Sequence, residues 1–399
     1  MFLEEKIKTA VVDTFSVAVC GGGIAGIAAA LAAARQGAKT VLFEKNYMLG
    51  GLGTSGMVTI YLPLCDGFGK QVSYGIAEEL LRLSVKHGAE ADYPENWLDN
   101  KGARTQKDKR FQVQYNPQMF AILAEELLLK EGVEILYGTY AVGVDVKNNK
   151  IQHIITENKS GRQAYGVKSV VDATGDCDIA HFAKAPTDTF KQGNILAGWY
   201  YSVGESGYKL NMLGASDIPD DEQTEENKVK TLINRRFSGL DGKELSEQTF
   251  LSHKATYDDV LKKRKTDKSL LPVTIATIPQ VRMTRKIVGE YVLSEKQEHK
   301  YFEDSIGMVS NWKKRGPVWE VPFGTLYSKE VKNLLCAGRC TSVTETLWDV
   351  MRVIPCCAVT GEAAGVAAAI CNDMTTLDIT KLQNILKNNG VVLHERDII

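Results

Sequence analysis

A short apolar run near the start of the chain leads through glycines into a long alanine-rich stretch. Residues 16–20 are mostly valine and alanine, which is typical of a buried parallel strand. Residues 24–36 follow with a composition that favours a helix, and Gly37 is placed to end it. Residues 39–44 are again strand-like. This order predicts a strand, a tight turn, a helix and a second strand, which together form a βαβ unit.

Hydrophobic periodicity predicts further elements in the first half of the chain. Helices are expected over residues 73–87 and 117–131, and the second of these opens on a proline. Strands are expected over residues 134–137, 142–146, 151–156 and 163–171. Turn-forming residues separate these strands, so they should build an antiparallel ribbon. Residues 89–110 are polar and are expected to form a loop.

The second half of the chain has a weaker pattern at first. Residues 217–267 are dense in charge, and we interpret their charge runs as a solvated surface of a second domain. Helices are expected there around residues 226–237 and 257–265. Further on, a strand and two helices are expected over residues 332–338, 356–370 and 381–388.

The composition is that of a globular protein with balanced charge. The 399 residues carry a net charge of -1, which argues against a dedicated nucleic-acid binder or a polybasic membrane-surface protein. The uncharged stretch 14–34 contains four glycines, and the apolar stretch 353–371 contains Pro355 and Glu362. Neither is expected to span a membrane, and residues 1–8 lack the positive start of a signal peptide. We therefore predict a cytoplasmic protein.

The eight cysteines contain no C-x-x-C pair. The sequence therefore does not support a zinc ribbon, a thioredoxin-like redox site or an iron–sulfur cluster, and no metal is predicted. Most of these cysteines lie in apolar runs, where a reduced thiol behaves as a small hydrophobic group. Two pairs stay open as redox candidates, Cys336 with Cys340 and Cys356 with Cys357.

A glycine motif marks the first strand-to-helix turn. Gly21 suits the sharp turn, Gly23 lets the backbone approach a pyrophosphate, and Gly26 allows the helix and strand to pack closely. The helix N-terminus then offers free N–H groups to phosphates. Glu44 ends the second strand, where a carboxylate accepts hydrogen bonds from the ribose of an adenosine. The alternative is a tight glycine turn beside a surface glutamate.

A second glycine cluster follows directly, at residues 50–56. A plain NAD dehydrogenase does not need such a cluster here, whereas an extended FAD must run its pyrophosphate, ribityl chain and flavin along this segment. The alternative is a mobile surface loop. Two later segments, residues 170–176 and 333–339, each contain the end of a predicted strand followed by small and polar residues. The helix that begins near Pro355 is expected to face its N-terminus towards the flavin.

Together these segments resemble the glutathione-reductase-type FAD-binding fold, and more specifically a large bacterial family of FAD-dependent oxidoreductases. The resemblance is carried by CGGGIAGIAAA with FEKNYMLGGLGTSG, by VVDATGDCDIA, by IPQVRMTRKIVGEY, and by NLLCAGRCTS with MRVIPCCAVTGEAAGVAAAI. It implies an α/β fold, with a doubly wound, Rossmann-like FAD/NAD(P)-binding domain and an inserted α+β substrate or cap domain. The FAD-binding domain would comprise residues 10–181 and 322–375, the cap residues 182–321, and a C-terminal helical tail residues 376–399.

The motifs and the resemblance give a set of residues expected to bind FAD. The set comprises Gly21, Gly23, Ile24, Ala25, Gly26, Glu44, Lys45, Gly50, Gly51, Leu52, Ser55, Gly56, Met57, Ala141, Ala173, Thr174, Gly175, Gly338, Arg339, Val353 and Ile354. FAD is expected to be non-covalent, because no histidine lies between residues 1 and 86. No redox cysteine pair follows the second glycine cluster, and no second G-x-G-x-x-G indicates a dedicated NAD(P)H domain.

Three arginines are the candidates for catalysis. Arg282 and Arg285 lie in the mostly hydrophobic segment 278–288, and Arg352 precedes the Pro355 helix. An arginine near a flavin can bind a substrate carboxylate through its planar fork or stabilise developing charge. The alternative for each is a structural ion pair. Three further side chains are weaker candidates for proton transfer and are expected to be structural, namely Tyr61, His181 and Glu345.

The sequence thus predicts an FAD-dependent oxidoreductase that transfers a hydride between a small organic substrate and non-covalent FAD. The electron donor or acceptor and the oligomeric state stay open. Two alternatives are a non-redox flavoprotein of the isomerase or hydratase type and a non-catalytic FAD-binding protein.

Overall fold

The parallel part of one sheet organises the fold. The computed structural model describes residues 3–90, 112–214 and 231–398. Its strands are β1 (Ala10–Cys20), β2 (Thr40–Phe43), β3 (Ile60–Tyr61), β4 (Val113–Gln114), β5 (Glu134–Leu136), β6 (Tyr140–Lys147), β7 (Lys150–Asn158), β8 (Gly161–Asp172), β9 (Thr187–Thr189), β10 (Tyr200–Gly204), β11 (Gly207–Asn211), β12 (Leu271–Ile275), β13 (Arg285–Ile287), β14 (Ser305–Ser310), β15 (Val318–Pro322) and β16 (Leu334–Cys336).

Seven of these described strands form the largest sheet, in the order β5-β2-β1-β8-β7-β6, with β16 paired to β8. The pairs among β5, β2, β1, β8 and β16 are parallel, whereas β6, β7 and the first half of β8 form an antiparallel ribbon. The sheet is therefore mixed. The prediction that residues 134–137 join the antiparallel ribbon is wrong, because β5 pairs in parallel with β2 at the sheet edge instead. Cys20 pairs with both Phe43 and Asp172, and Asp172 also pairs with Cys336. The carboxyl ends of four strands therefore lie level at one edge.

The described helices surround the strands. They are α1 (Ile24–Arg35), α2 (Ile76–Ser84), α3 (Pro117–Lys130), α4 (Asp178–Phe182), α5 (Gly242–Lys263), α6 (Glu345–Met351), α7 (Ile354–Ile370) and α8 (Ile379–Asn388). Of these, α1, α4 and α7 contact the largest sheet directly. Alternate residues of β1 pack into different apolar clusters, Val17 and Val19 into one, Ala18 and Cys20 into another. Because both faces of the strand are buried over residues 17–20, this part of its sequence is a continuous apolar run.

Helices α1 and α7 are the most deeply buried and pack against each other through small residues. A Cβ on Gly361 would overlap the carbonyl oxygen of Ala25, and a Cβ on Gly365 would overlap that of Ala29. Both contacts advance four residues in the same direction, so the helices run parallel. Their N-termini consequently lie at the same edge of the sheet.

The remaining described strands form smaller sheets. Strands β11, β10 and β12 make a three-stranded sheet, and β9 pairs with β13, β14 with β15 and β3 with β4. Long helix α5 packs beside β12 and the buried Tyr200 of β10. The division of the chain into FAD-binding, cap and tail segments stays a prediction.

Two expectations for the charged segment need correction. Residues 231–237 are not helical, and the rest of the helix expected around residues 226–237 lies outside the described residues. The helix expected over residues 257–265 is the end of the much longer α5. Asp241 begins α5 because its side chain accepts a hydrogen bond from the Glu244 N–H at 2.9 Å. The loop expected over residues 89–110 lies almost wholly outside the described residues.

Among the described helices, none alone is long and apolar enough to cross a membrane. Only α6 and α7 taken together reach that length and composition, and they meet at an angle of 90°.

Candidate functional site

A cavity of about 1410 Å³ lies where the carboxyl ends of the parallel strands meet. Its wall includes residues that directly follow β1, β2, β8 and β16, for example Gly21, Glu44, Ala173 and Ala337. A sheet of this kind binds its ligand at such an edge. The volume exceeds the roughly 300–1,000 Å³ of an ordinary ligand pocket, so the cavity can hold a dinucleotide together with a second molecule.

In the first glycine turn, Gly26 is tightly packed, whereas Gly23 has free space in front of its Cα. Gly21 has φ +103°, a conformation that favours glycine. A Cβ on Gly26 would overlap the carbonyl oxygen of Gly21, so this glycine is needed for close packing within the turn. Gly23 lines the cavity, and a Cβ placed on it would meet no atom within 4 Å. The space in front of Gly23 is therefore available to a ligand.

Two helix N-termini face this space. Ile24 and Ala25 of α1 and Ile354 of α7 line the cavity, as does Val353, which precedes α7. Neither helix has a side-chain cap or an acidic residue in its first turn. The N–H groups and the positive dipole ends of both helices are therefore directed at the cavity without a competing carboxylate. This arrangement fits an anion such as a pyrophosphate.

Glu44 is buried at the end of β2 and braces the glycine turn. Its Oε2 accepts a hydrogen bond from the Gly22 N–H at 2.7 Å, and its Oε1 accepts from the N–H and the side-chain amide of Asn46 at 2.7 and 2.9 Å. Glu44 also lines the cavity. The carboxylate thus shapes the turn itself, and its contact with a ribose stays a prediction.

The second glycine cluster is an ordered part of the cavity wall. The Gly50 N–H donates to the Gly22 carbonyl at 2.8 Å, and the Tyr115 hydroxyl donates to the Gly53 carbonyl at 2.6 Å. On its other side, the Gln280 side-chain amide donates to the Gly56 carbonyl. Three parts of the chain therefore hold the cluster in place, which argues against the alternative of a mobile surface loop.

Most of the predicted cofactor residues line the cavity together. They are Gly21, Gly23, Ile24, Ala25, Glu44, Lys45, Gly50, Gly51, Leu52, Ala141, Ala173, Thr174, Gly175, Gly338, Arg339, Val353 and Ile354. Gly26, Ser55, Gly56 and Met57 do not line it. Gly26 packs inside the turn, and the Ser55 carbonyl accepts a hydrogen bond from the Thr277 N–H at 2.8 Å. The segment 55–57 thus faces the part of the chain that precedes Arg282.

A buried aspartate braces the loop after β8, and Arg339 braces the neighbouring segment 281–282. Asp172 accepts hydrogen bonds from the Thr174 hydroxyl at 2.7 Å and from the Ala180 N–H at 3.0 Å. Arg339 reaches from the loop after β16 and donates to the Val281 and Arg282 carbonyls, both at 3.0 Å. Arg339 therefore lines the cavity and also holds the segment 281–282 in position.

Arg285 has a structural partner and does not line the cavity. Its guanidinium donates to Asp178 at 3.0 Å and to the Asp176 carbonyl at 3.0 Å. Burial, and then the nearby Asp176, raise the pKa of Asp178 to about 6 despite this arginine. These contacts favour the alternative for Arg285, a structural ion pair, and its catalytic role stays a prediction.

Arg282 and Arg352 both line the cavity. Arg282 is buried, and its guanidinium carbon lies 5.0 Å from the centre of the Trp199 ring. Arg352 donates through Nε to Asp349 at 2.9 Å. Sequence reasoning missed several neighbours on the same wall, which are Trp199, Trp312, Lys313 and Lys314. Only the Trp-Lys-Lys run offered a local signal, and nothing in the sequence ties it to Arg352.

The weaker candidates have structural contacts. Tyr61 is buried and donates to the Ala77 carbonyl at 2.6 Å, and burial raises its pKa. Glu345 accepts from the Gln192 N–H at 3.4 Å. Neither lines the cavity, and His181 does not line it either.

The cysteines in the described residues are free thiols. The sulfur atoms of Cys177 and Cys336 lie 3.8 Å apart, and burial raises the pKa of Cys336 to about 12. Burial likewise raises the pKa of Cys357, which lines the cavity, to about 12. At neutral pH these groups are therefore protonated, weak nucleophiles.

The sequence matches the family described as FAD dependent oxidoreductase over residues 16–198 and 198–386. It is 26% identical over 208 residues to the tRNA uridine 5-carboxymethylaminomethyl modification enzyme MnmG of Clostridium botulinum, and 33% identical over 176 residues to MnmG of Aquifex aeolicus. These alignments cover 51% and 41% of this chain but only 29% and 25% of those relatives.

A solved structure with a similar fold is that of p-nitrophenol 4-monooxygenase PnpA from Pseudomonas putida. The TM-score is 0.51, the sequence identity is 11%, and the superposition covers 94% of this chain and 85% of that one. At this identity the likeness concerns the α/β fold.

Proposed function

Because the chain belongs to the family of FAD dependent oxidoreductases, we propose that it transfers a hydride between a small organic substrate and FAD bound in the cavity. FAD is its cofactor, and the enzyme is an oxidoreductase. The observation that carries the placement of FAD is the convergence of two uncapped helix N-termini on the space in front of Gly23. The fold supporting this site is proposed to be of the glutathione-reductase type, with a cap formed mainly by residues 182–321.

In this proposal the chain's own residues divide the work along the cavity. The N-termini of α1 and α7 bind the pyrophosphate and the flavin end, and Glu44 and Ala141 meet the adenosine. When bound, FAD supplies the two-electron chemistry. The segment 50–53 and the residues Trp199, Arg282 and Arg352 shape the space beside it. Their part is to orient the substrate and to exclude water from it.

Arg282 is proposed to hold an anionic or strongly polar group of the substrate. Its guanidinium is buried against Trp199 and still lines the cavity, so a substrate charge would meet it in a desolvated setting. The proposed setting for this reaction is the cytoplasm, where the thiols stay reduced. No observation favours the isomerase or non-catalytic alternatives.

The purified protein is expected to be yellow and to release intact FAD on denaturation. We expect non-covalent FAD because the described lining residues from Gly21 to Thr139 include no histidine and no tyrosine that could bond to the flavin. Acid precipitation followed by chromatography of the supernatant measures the release. Flavin that stays with the precipitated chain would contradict the non-covalent assignment, and protein unable to take up added FAD would overturn the proposed function.

Replacing Arg282 should slow flavin reduction by the substrate without removing FAD. Arg282→Ala loses the charge and the fork, and we expect a loss of roughly 100-fold, as for a hydrogen bond to a charged group. Arg282→Lys keeps the charge but loses the planar fork, so the loss should be smaller, about tenfold. Stopped-flow reduction, FAD content and melting temperature are measured together. Normal reduction, or a loss matched by unfolding, would return Arg282 to a structural role.

A further inference from the structure

A buried aspartate gathers three cavity residues at one place. Asp349 lies on α6 and does not itself line the cavity. Its carboxylate is paired with Arg352 through one oxygen and with Lys313 through the other, and its backbone carbonyl accepts from the Trp312 indole N–H at 3.0 Å. Asp349 therefore positions one tryptophan and two cations on the cavity wall, although they come from separate parts of the chain.

The charges of this cluster do not cancel. One carboxylate faces two cations, so the trio of Asp349, Lys313 and Arg352 keeps one positive charge. The side chain of Asp349 is 1% exposed and that of Arg352 6%, whereas that of Lys313 is 18% exposed. The excess charge is thus partly desolvated, where its interaction with an anion is strong. Lys314 is exposed next to it and adds a further cation to the wall.

Among the described residues that line the cavity around these cations, none is acidic. The lining residues from segments 278–282, 312–314 and 352–354 are apolar, aromatic or cationic. The carboxylates that do line the cavity, namely those of Glu44, Asp176 and Asp178, follow β2 and β8. They are engaged by Gly22 and Asn46, by Arg339, and by Arg285 respectively.

Flat apolar surface accompanies the charge. The indoles of Trp199 and Trp312 line the cavity, together with Ile60, Leu62 and Ile278. Both indole N–H groups are already satisfied, that of Trp199 by the Gly214 carbonyl at 2.9 Å. One face of each ring carries a cation, Arg282 at 5.0 Å on Trp199 and Lys313 at 5.3 Å on Trp312. A ligand ring can therefore contact only the remaining apolar surface of the two indoles.

We propose that the substrate is a planar, aromatic or conjugated monocarboxylate, whose carboxylate binds Lys313 and Arg352 and whose ring system packs on the tryptophan-lined wall. The carboxylate pairs with the excess charge of the trio, and Arg282 on the same wall then holds an uncharged polar group of this substrate. Asp349 acts here as a positioning residue, since it holds both cations without touching the ligand. This inference rests on the proposed function, because it names the substrate class of the same cavity.

The test is a calorimetric titration of the FAD-loaded protein with benzoate. Benzamide has the same shape without the charge, and cyclohexanecarboxylate has the charge without the flat ring. We expect benzoate to bind at least about tenfold more tightly than either, which corresponds to about 1.4 kcal/mol. Equal binding of benzoate and benzamide, or no binding of benzoate to yellow protein, would overturn the inference and leave the proposed function standing. Protein without FAD would instead fail the proposed function.

Variants of Lys313 test whether the carboxylate binds at this side chain. Lys313→Met should weaken benzoate at least about tenfold and leave benzamide unchanged, whereas Lys313→Arg should stay within about threefold of the parent. The matched control is Lys254→Met, because Lys254 lies on α5 with 69% of its side chain exposed and pairs with Asp258. Equal weakening of benzoate and benzamide by Lys313→Met, or equal weakening of benzoate by the control, would overturn the assignment. If Lys313→Met no longer binds FAD, Lys314→Met is tested in its place. We expect Lys314→Met to weaken the binding of benzoate about two- to threefold and to leave the binding of benzamide unchanged. Unchanged binding of benzoate would overturn the assignment.

Discussion

Replacing Gly23 with valine should abolish FAD binding and leave the apoprotein folded. Gly23 has φ -68° and ψ -178°, which any residue adopts, and an added Cβ meets no protein atom within 4 Å. The valine side chain therefore costs the fold little. It would occupy the space before the N-terminus of α1, where the pyrophosphate is proposed to lie. We expect the affinity for FAD to fall at least about 100-fold.

Gly26→Ala is the matched comparison, because it changes the other end of the same turn. Its Cβ would overlap the Gly21 carbonyl oxygen, which belongs to the backbone and cannot rotate away. We expect a loss of stability of about 3 kcal/mol, as for overpacking of a tight contact. Flavin fluorescence titration gives the affinity, and thermal melting of the apoproteins gives the stability. Normal FAD affinity in Gly23→Val, or equal melting losses in both variants, would contradict the assigned geometry.

The dinucleotide part of the site could be predicted because its determinants are local in sequence. Gly21, Gly23 and Gly26 lie within six residues, and the strand and helix around them have clear apolar patterns. Glu44 follows at the end of the next parallel strand, and parallel strands bring their carboxyl ends to one edge. The same reasoning placed Ala173 and Gly338 on the cavity wall, because each follows a strand of that sheet.

The substrate part could not be predicted in this way, because its contacts join distant segments. Lys313 and Arg352 meet only through Asp349, and no periodicity links the loop before β15 to the end of α6. Arg282 and Arg285 looked equivalent in sequence. They differ in the structure because Arg285 lies on β13 and pairs with Asp178 at the start of α4, whereas Arg282 lies before the strand and against Trp199.

Helix α5 shows a different limit of sequence reasoning. Its exposed face includes large apolar residues such as Phe250 and Tyr257, so apolar positions do not mark a single buried stripe. Its start nevertheless carries a signal. Asp241 accepts from the Glu244 N–H, and Glu244 turns back to accept from the Ser238 and Gly239 N–H groups at 2.9 and 3.0 Å. An acidic cap followed three residues later by glutamate is a helix-start pattern, and the charge-rich surroundings concealed it.

Glu362 should make the protein less stable as the pH rises from about 4.5 to about 8. This side chain lies on α7 with 2% of the residue exposed, and its Oε2 accepts from the Ile76 N–H at 2.8 Å, the first N–H of α2. Its Oε1 has no hydrogen-bond partner in the described residues. Burial raises the pKa of Glu362 to about 8 from an ordinary value of 4.5, and the nearby Glu79 adds to this, whereas the Ile76 N–H and Arg35 oppose it.

The sign of the effect follows from the raised pKa. Below pH 4.5 the carboxyl is protonated in both the folded and the unfolded chain, so it adds no pH dependence. Between the two values only the unfolded chain ionises, and stability falls by about 1.4 kcal/mol per pH unit. Glu362→Gln keeps an acceptor for the Ile76 N–H and cannot ionise. It should match the parent near pH 4.5 and exceed it at pH 9 by on the order of 4 kcal/mol.

Thermal melting of the FAD-loaded protein between pH 5 and pH 9 measures this difference. The gap between Glu362→Gln and the parent should widen with pH, to at least about 5 °C at pH 9. Glu126→Gln is the control, because Glu126 is an exposed residue on α3 and its replacement removes the same charge. Its curve should run parallel to that of the parent. A parallel curve for Glu362→Gln would mean that the carboxyl between α7 and α2 is ionised in the folded protein, and that a polar partner compensates its burial.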